Sequence, residues 1–183
     1  MEKLEWNVVL ATGIEEIDEQ HKRLLEILNQ LREVTKRSKR REATAEVLQQ
    51  MLDYTVYHFD YEEKLLEKAG YKLLPLHRRV HQLFIRRIPE FQQRHAAGED
   101  VLREVHDMLA RWLVQHIQND DRNYAPAVKK YLQQEAEKDP VGYSRTQPTP
   151  LAETPPPAKG TRKKRTKLSL WERLSGYVNE DSD

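Results

Sequence analysis

The stretch Ile17-Asp18-Glu19-Gln20-His21-Lys22-Arg23-Leu24-Leu25-Glu26-Ile27-Leu28-Asn29-Gln30-Leu31 decides the fold. Ile17, Leu24, Leu28 and Leu31 recur in alternating four-and-three spacing, which sets one stripe of a helix against its neighbours. His21 stands on that stripe where a leucine is expected. The pattern recurs three times: Met51, Thr55, His58, Glu62, Leu65; then Leu74, His77, His81, Phe84, Ile88, Phe91; then Leu102, Val105, Leu109, Trp112, His116. Four helices thus each aim a histidine inward, which predicts an all-α four-helix bundle. A single core histidine is ordinarily a hydrogen-bonded structural residue. Five of them on four seams call for another explanation.

Burying an unpaired carboxylate costs more than the about 2–7 kcal/mol of a neutral polar group, so Glu62 needs compensation. A bound cation is the simplest compensation. The i, i+4 pairs His58/Glu62 and His77/His81 each set two ligands roughly 40° apart on one helix face. Asp121 is the exception, because five residues beyond His116 it points roughly 140° away on a regular helix. The fourth helix is therefore expected to end or distort near Asn119, turning Asp121 back to the site. Five imidazole nitrogens and two bridging carboxylates supply nine donor atoms, too many for one tetrahedral zinc and suited to a pair of six-coordinate ions. One bridging oxygen from water leaves one position open for a small ligand.

At these residues the chain resembles the hemerythrin family, and within it the bacteriohemerythrins. The resemblance is carried by Gly13-Ile14-Glu15-Glu16-Ile17-Asp18-Glu19-Gln20-His21, His58-Phe59-Asp60-Tyr61-Glu62-Glu63, His77-x-x-x-His81 and Trp112-Leu113-x-x-His116-Ile117-x-x-x-Asp121-x-x-Tyr124. It runs from about Trp6 to about Leu132, in the family's order. It implies an up-down-up-down bundle around a non-haem centre of two iron ions (Fe2+/Fe3+) with a bridging oxo or hydroxo group, which binds O2 reversibly. Carried over by position, His77, His81 and His116 hold one iron, His21 and His58 the other, and Glu62 and Asp121 bridge them. In that family O2 takes the open position on the two-histidine iron, each ferrous ion gives one electron, and reversal releases O2. Phe59, Trp112, Leu113 and Ile117 are then the apolar walls of the O2 pocket.

Other metal sites leave different signatures. The ferritin-like bundle uses Glu-x-x-His pairs, and zinc hydrolases use His-Glu-x-x-His; the chain contains neither. His95 lies roughly 21 Å along its helix from His81, and His106 roughly 15 Å from His116, so both are expected to be solvated bystanders. Glu63 and Asp120 flank ligands and read as surface charges. Tyr54 reads as a packed residue, and Trp6 as part of an N-terminal arm over the bundle.

With 183 residues, 33% of them charged, and a net charge of +1, the chain can build one core and carries no overall bias toward nucleic acid. The absence of cysteine excludes disulfides, iron–sulfur clusters and thiol catalysis. No membrane-length apolar run and no signal-peptide pattern occur, so a cytoplasmic location is expected. An arm over residues 1–16 is expected to lead into helices near 17–37, 42–68, 75–96 and 99–119, with a short C-terminal helix over 124–138. Pro89 should kink the third helix, two turns beyond His81.

The bundle domain is expected to end at residue 138. Six of the nine prolines fall between Pro140 and Pro157, and six Lys/Arg with no acid follow between Thr154 and Lys167, so residues 139–167 read as a disordered linker. Residues 168–183 form a candidate docking peptide, in which Leu170, Trp171, Leu174, Tyr177 and Val178 share one helical face. The functional expectation is an O2 carrier, store or local delivery protein rather than an enzyme, tethered to a protein partner or assembly by this tail. The alternatives are an O2 or redox sensor, and an enzyme that acts on peroxide or nitric oxide or donates iron for repair.

Overall fold

All four seams form helix in the computed structural model, which describes residues 1–35 and 40–138. Helix α1 runs Glu15–Val34, α2 Arg40–Lys68, α3 Leu74–Ile85, α4 Arg87–Ala96, α5 Leu102–His116 and α6 Arg122–Lys138. A π-helical segment, Ile117–Asp121, joins α5 to α6 without a break. A short 3-10 turn, Val8–Leu10, interrupts the N-terminal arm.

Cross-helix contacts fix the topology. His21, early in α1, meets His58, late in α2, with ring centroids 4.8 Å apart. At its other end α2 places Arg41 against the last carbonyls of α4, at 2.8 Å from Ala96. Phe84 of α3 stacks on Trp112 of α5 at 3.7 Å. Neighbouring helices therefore run antiparallel, in an up-down-up-down four-helix bundle with α3 and α4 sharing one arm of it.

Local chemistry explains where the helices stop. Helix α2 ends at Lys68 and is closed by Gly70, whose φ of 64° is the left-handed conformation that glycine adopts without a Cβ penalty, while Tyr71 N–H donates to the Leu66 carbonyl at 3.0 Å. Pro75 then sits in the first turn of α3, where a missing N–H costs nothing. The break between α3 and α4 falls at Arg86, closer to His81 than the kink expected at Pro89. Pro89 has no N–H to give the Ile85 carbonyl one turn earlier and its ring crowds that carbonyl, so the interruption appears upstream of the proline.

The expected seams are buried apart from Trp112, which is half-buried, and one shift of register in α2. Ile17, Leu28 and Leu31 of α1 are fully buried, and each such side chain contributes about 1.5–3 kcal/mol. In α2, Leu65 is only partly buried while Leu66 is fully buried, so the core face is wider than a single stripe. Ile14, Ile17, Leu66, Leu74, Tyr124, Ala125 and Val128 pack together where α6 meets the other helices. The docking peptide, with Leu170, Trp171, Leu174, Tyr177 and Val178, lies outside the described residues, as does the linker before it.

Candidate metal centre

The side chains of His21, His58, Glu62, His81 and Asp121 are fully buried, and His77 and His116 nearly so. Helix α1 supplies His21, α2 supplies His58 and Glu62, α3 supplies His77 and His81, and α5 supplies His116. Asp121 comes from the π-helical segment, where the Arg122 N–H reaches back to the Ile117 carbonyl five residues earlier. The wider turn of a π segment absorbs the extra residue between His116 and Asp121, and such segments recur at functional sites. The distortion expected near Asn119 is thus a π turn, and the chain continues as helix beyond it.

Ring nitrogens and carboxylate oxygens of Glu62, His77, His81 and His116 converge within 4.8 Å of one another, as do those of His21, His58 and Glu62. Glu62 belongs to both groups. Asp121 lies between them, with Oδ2 at 3.2 Å from His21 Nε2 and Oδ1 at 3.1 Å from His116 Nε2. His58 Nε2 stands 3.2 Å from Glu62 Oε2, and His77 Nε2 stands 2.5 Å from Glu62 Oε1.

Most of these atoms meet without bonding to one another. His21 Nε2, His58 Nε2, Glu62 Oε2 and both Asp121 oxygens are buried and lack a hydrogen-bond partner. Leaving such groups unsatisfied costs about 1–3 kcal/mol each, and more for charges. Ligands at right angles around a cation with bonds of about 2.1 Å stand about 3 Å apart. The observed spacings of 3.0 Å for His81 and His116 and 3.1–3.2 Å for the unbonded contacts match that geometry. The donor set therefore fits a pair of cations.

The electrostatics favour neutral rings at His58, His77 and His81, whereas at His116 burial is outweighed by Asp121 and Asp120, which raise the pKa, so a metal there would displace a proton. Burial, reinforced by neighbouring histidines, holds His58 and His81 well below the usual imidazole pKa, so both are neutral and able to ligate. Burial and then Asp121 push Glu62 well above the carboxylate range. Burial would also raise Asp121, but His116, His21 and His77 outweigh it and bring it down to about 2. Tyr124 is fully buried, with its hydroxyl beside Glu62 but without a completed hydrogen bond, and burial pushes it well up.

Behind the centre stand residues that the seam pattern does not mark. Glu63 is buried and accepts from His81 Nδ1 at 2.8 Å. Asp120 accepts from His116 Nδ1 at 2.9 Å, and the amide oxygen of Gln20 accepts from His58 Nδ1 at 2.9 Å. Glu63 and Asp120 are thus not simple surface charges. Each hydrogen bond turns the Nε2 lone pair of its histidine toward the centre. The available signal was adjacency: on a wide buried face, the residue beside a seam position reaches a neighbouring helix.

Two expectations about bystanders also change. His106 is buried, with Nδ1 on Asp107 at 3.0 Å, and His95 is partly buried, with Nε2 donating to the Arg41 carbonyl at 2.9 Å. His106 is therefore not solvated and His95 only partly so, because distance along a helix limits coordination and says nothing about burial. Tyr54 packs against Tyr57 at 5.8 Å. Trp6 lies over His21 with ring centroids 6.4 Å apart, and Lys22 stands 5.5 Å above its ring.

Next to the centre, Phe59 stacks on His81 at 3.6 Å and Trp112 stacks on His116 at 4.4 Å. Phe59, Trp112 and Leu113, together with Leu28, Met51 and Thr55, wall a cavity of about 10 Å³. Ile117 is fully buried but does not line it.

A family model described as a hemerythrin HHE cation-binding domain matches residues 12–128. The chain is 45% identical over 142 residues to a bacteriohemerythrin of Stenotrophomonas maltophilia, covering 78% of this chain and 92% of that one. It is 46% identical over 129 residues to a bacteriohemerythrin of Pseudomonas aeruginosa, covering 70% and 84%. Among solved structures, a wild-type hemerythrin crystal structure matches with a TM-score of 0.64 at 27% identity, over 68% of this chain and 97% of that chain.

Proposed function

The chain belongs to the hemerythrin family, and on that premise we propose that it binds O2 reversibly at two iron ions, as a carrier, store or local supply of oxygen. His77, His81 and His116 would hold one iron, His21 and His58 the other, and Glu62 and Asp121 would bridge the pair with an oxo or hydroxo group. One observation carries this reading. Most of the buried Nε2 and carboxylate atoms, those of His21, His58 and Asp121 and one Glu62 oxygen, converge without a hydrogen bond between them, at the spacing of ligands that share a cation.

When bound, the iron pair supplies two electrons to O2 and takes them back on release. The protein's part is to hold the ligands and keep the site dry. Phe59 and Trp112 lie flat against His81 and His116, and with Leu113, and with Ile117 buried outside the cavity, they would form the apolar wall on the O2 side. Such a wall admits a small neutral gas and excludes the water and protons that promote irreversible oxidation.

The residues around the neighbouring cavity carry no acid or base, which favours a binding protein over an enzyme. No helix among the described residues is long and apolar enough to cross a membrane. Oxygen-uptake measurements at fixed iron content test the reading: uptake that saturates and reverses supports it, whereas continuous consumption contradicts it.

The same reading includes a tether. Residues 168–183, with Leu170, Trp171, Leu174, Tyr177 and Val178 on one helical face, would dock on a protein partner through an amphipathic helix. Removing residues 140–183 should leave iron content unchanged and abolish co-purification of that partner; co-purification that persists would contradict the tether.

A further inference from the structure

We propose that the two cation positions of the centre are unequal, and that Gln20, Glu63 and Asp120 set the inequality. This rests on the reading of the seven side chains as ligands of two irons.

The three-histidine position is backed by negative charge. His81 Nδ1 donates to Glu63 at 2.8 Å and His116 Nδ1 donates to Asp120 at 2.9 Å. A carboxylate behind an imidazole draws on its N–H and moves electron density to the opposite nitrogen, which makes Nε2 a stronger donor to a cation. Glu63 is steadied by Arg78, whose Nε lies 3.3 Å away.

The two-histidine position has no such backing. His58 Nδ1 meets the uncharged amide oxygen of Gln20 at 2.9 Å, and His21 Nδ1 has no hydrogen-bond partner among the described residues. The orientation of the Gln20 amide is pinned, because its nitrogen donates to Glu16 at 3.2 Å. A glutamate of the same length would bring a carboxylate to His58, and Glu16→Gln would supply the amide that faces its second oxygen. Two formal charges and one additional imidazole therefore favour the His77, His81, His116 position for the first cation. The second cation enters a site of weaker donors, the one read above as open to O2.

Exposure ranks the two carboxylates. The Glu63 side chain is 11% exposed and that of Asp120 39%, so solvent screens Asp120 more and Glu63 carries the larger share.

Titrating the metal-free full chain with Co2+, followed by calorimetry and visible absorption, tests the proposal. The expected result is two successive events of one ion each, the first tighter by about tenfold or more. Glu63→Gln should weaken the first event by about 10–100-fold, Asp120→Asn should weaken it less, and the second event should move less than the first in both. Gln20→Glu, made together with Glu16→Gln, should tighten the second event, a direction that a folding defect does not produce. Two indistinguishable events in the wild-type chain, or a second event unmoved by that double substitution, would overturn the inequality. Fewer than two Co2+ bound per chain would overturn the ligand assignment itself.

Discussion

The Nε2 atoms of His81 and His116 face each other at 3.0 Å, while their Nδ1 atoms are turned outward to Glu63 and Asp120. An ionised carboxylate only accepts hydrogen bonds, so both Nδ1 atoms carry the proton and both Nε2 lone pairs point into the same space. Two lone pairs at that distance repel unless a metal ion lies between them or one ring takes up a proton, which, against burial, Asp121 and Asp120 favour at His116. The fold thus concentrates a demand for positive charge at its centre.

Metal should therefore stabilise this chain. A cation that binds only the folded form adds about 2.7 kcal/mol at one hundred times its Kd. Calorimetric melting of the iron-loaded and chelator-treated chains should show a higher Tm with iron, and equal Tm values would contradict a preformed cation site.

Asp121 spans the two groups of ligands, reaching His21 at 3.2 Å and His116 at 3.1 Å. Asp121→Ala is expected to lower bound iron from two ions per chain toward one while the helical circular-dichroism signal persists. Retention of two irons would remove Asp121 from the bridging role.

Phe59 is fully buried and lies against His81, Phe84 and Trp112. Phe59→Ala should cost about 3–5 kcal/mol of stability, measured by urea unfolding of the metal-free chain. It should also speed irreversible oxidation of the loaded protein, because the cavity it opens lies beside the site. A loss under 1 kcal/mol, on the order of a surface change, would show that the ring is not part of the packed core.

Thr55 is buried on the wall of the apolar cavity, and its hydroxyl has no partner. Thr55→Val keeps the shape and removes the unsatisfied group, so stability should rise by about 1–2 kcal/mol. A destabilised variant would mean that the hydroxyl is satisfied, for instance by a trapped water.

The bundle was legible because each histidine took a seat in a four-and-three stripe that leucines otherwise fill, as His21 does between Ile17 and Leu24. Asp121 was legible through its misfit, since a five-residue step from His116 demanded a distorted turn. Glu63 and Asp120 were not, because residues one step off a seam look like surface charges until a neighbouring helix brings a histidine to them. The burial of His106 was equally hidden. Asp107, the partner of His106, is held below its usual pKa by that hydrogen bond and, to a lesser degree, by the terminal amino group of Met1, far away in sequence.

The most direct test of the central claim is the absorption spectrum of the chain after anaerobic loading with ferrous iron, recorded as O2 is added and then removed. The account predicts a charge-transfer band that appears and disappears over repeated cycles, with about one O2 taken up per two irons. Immediate conversion to a stable ferric form without that band would contradict reversible O2 binding.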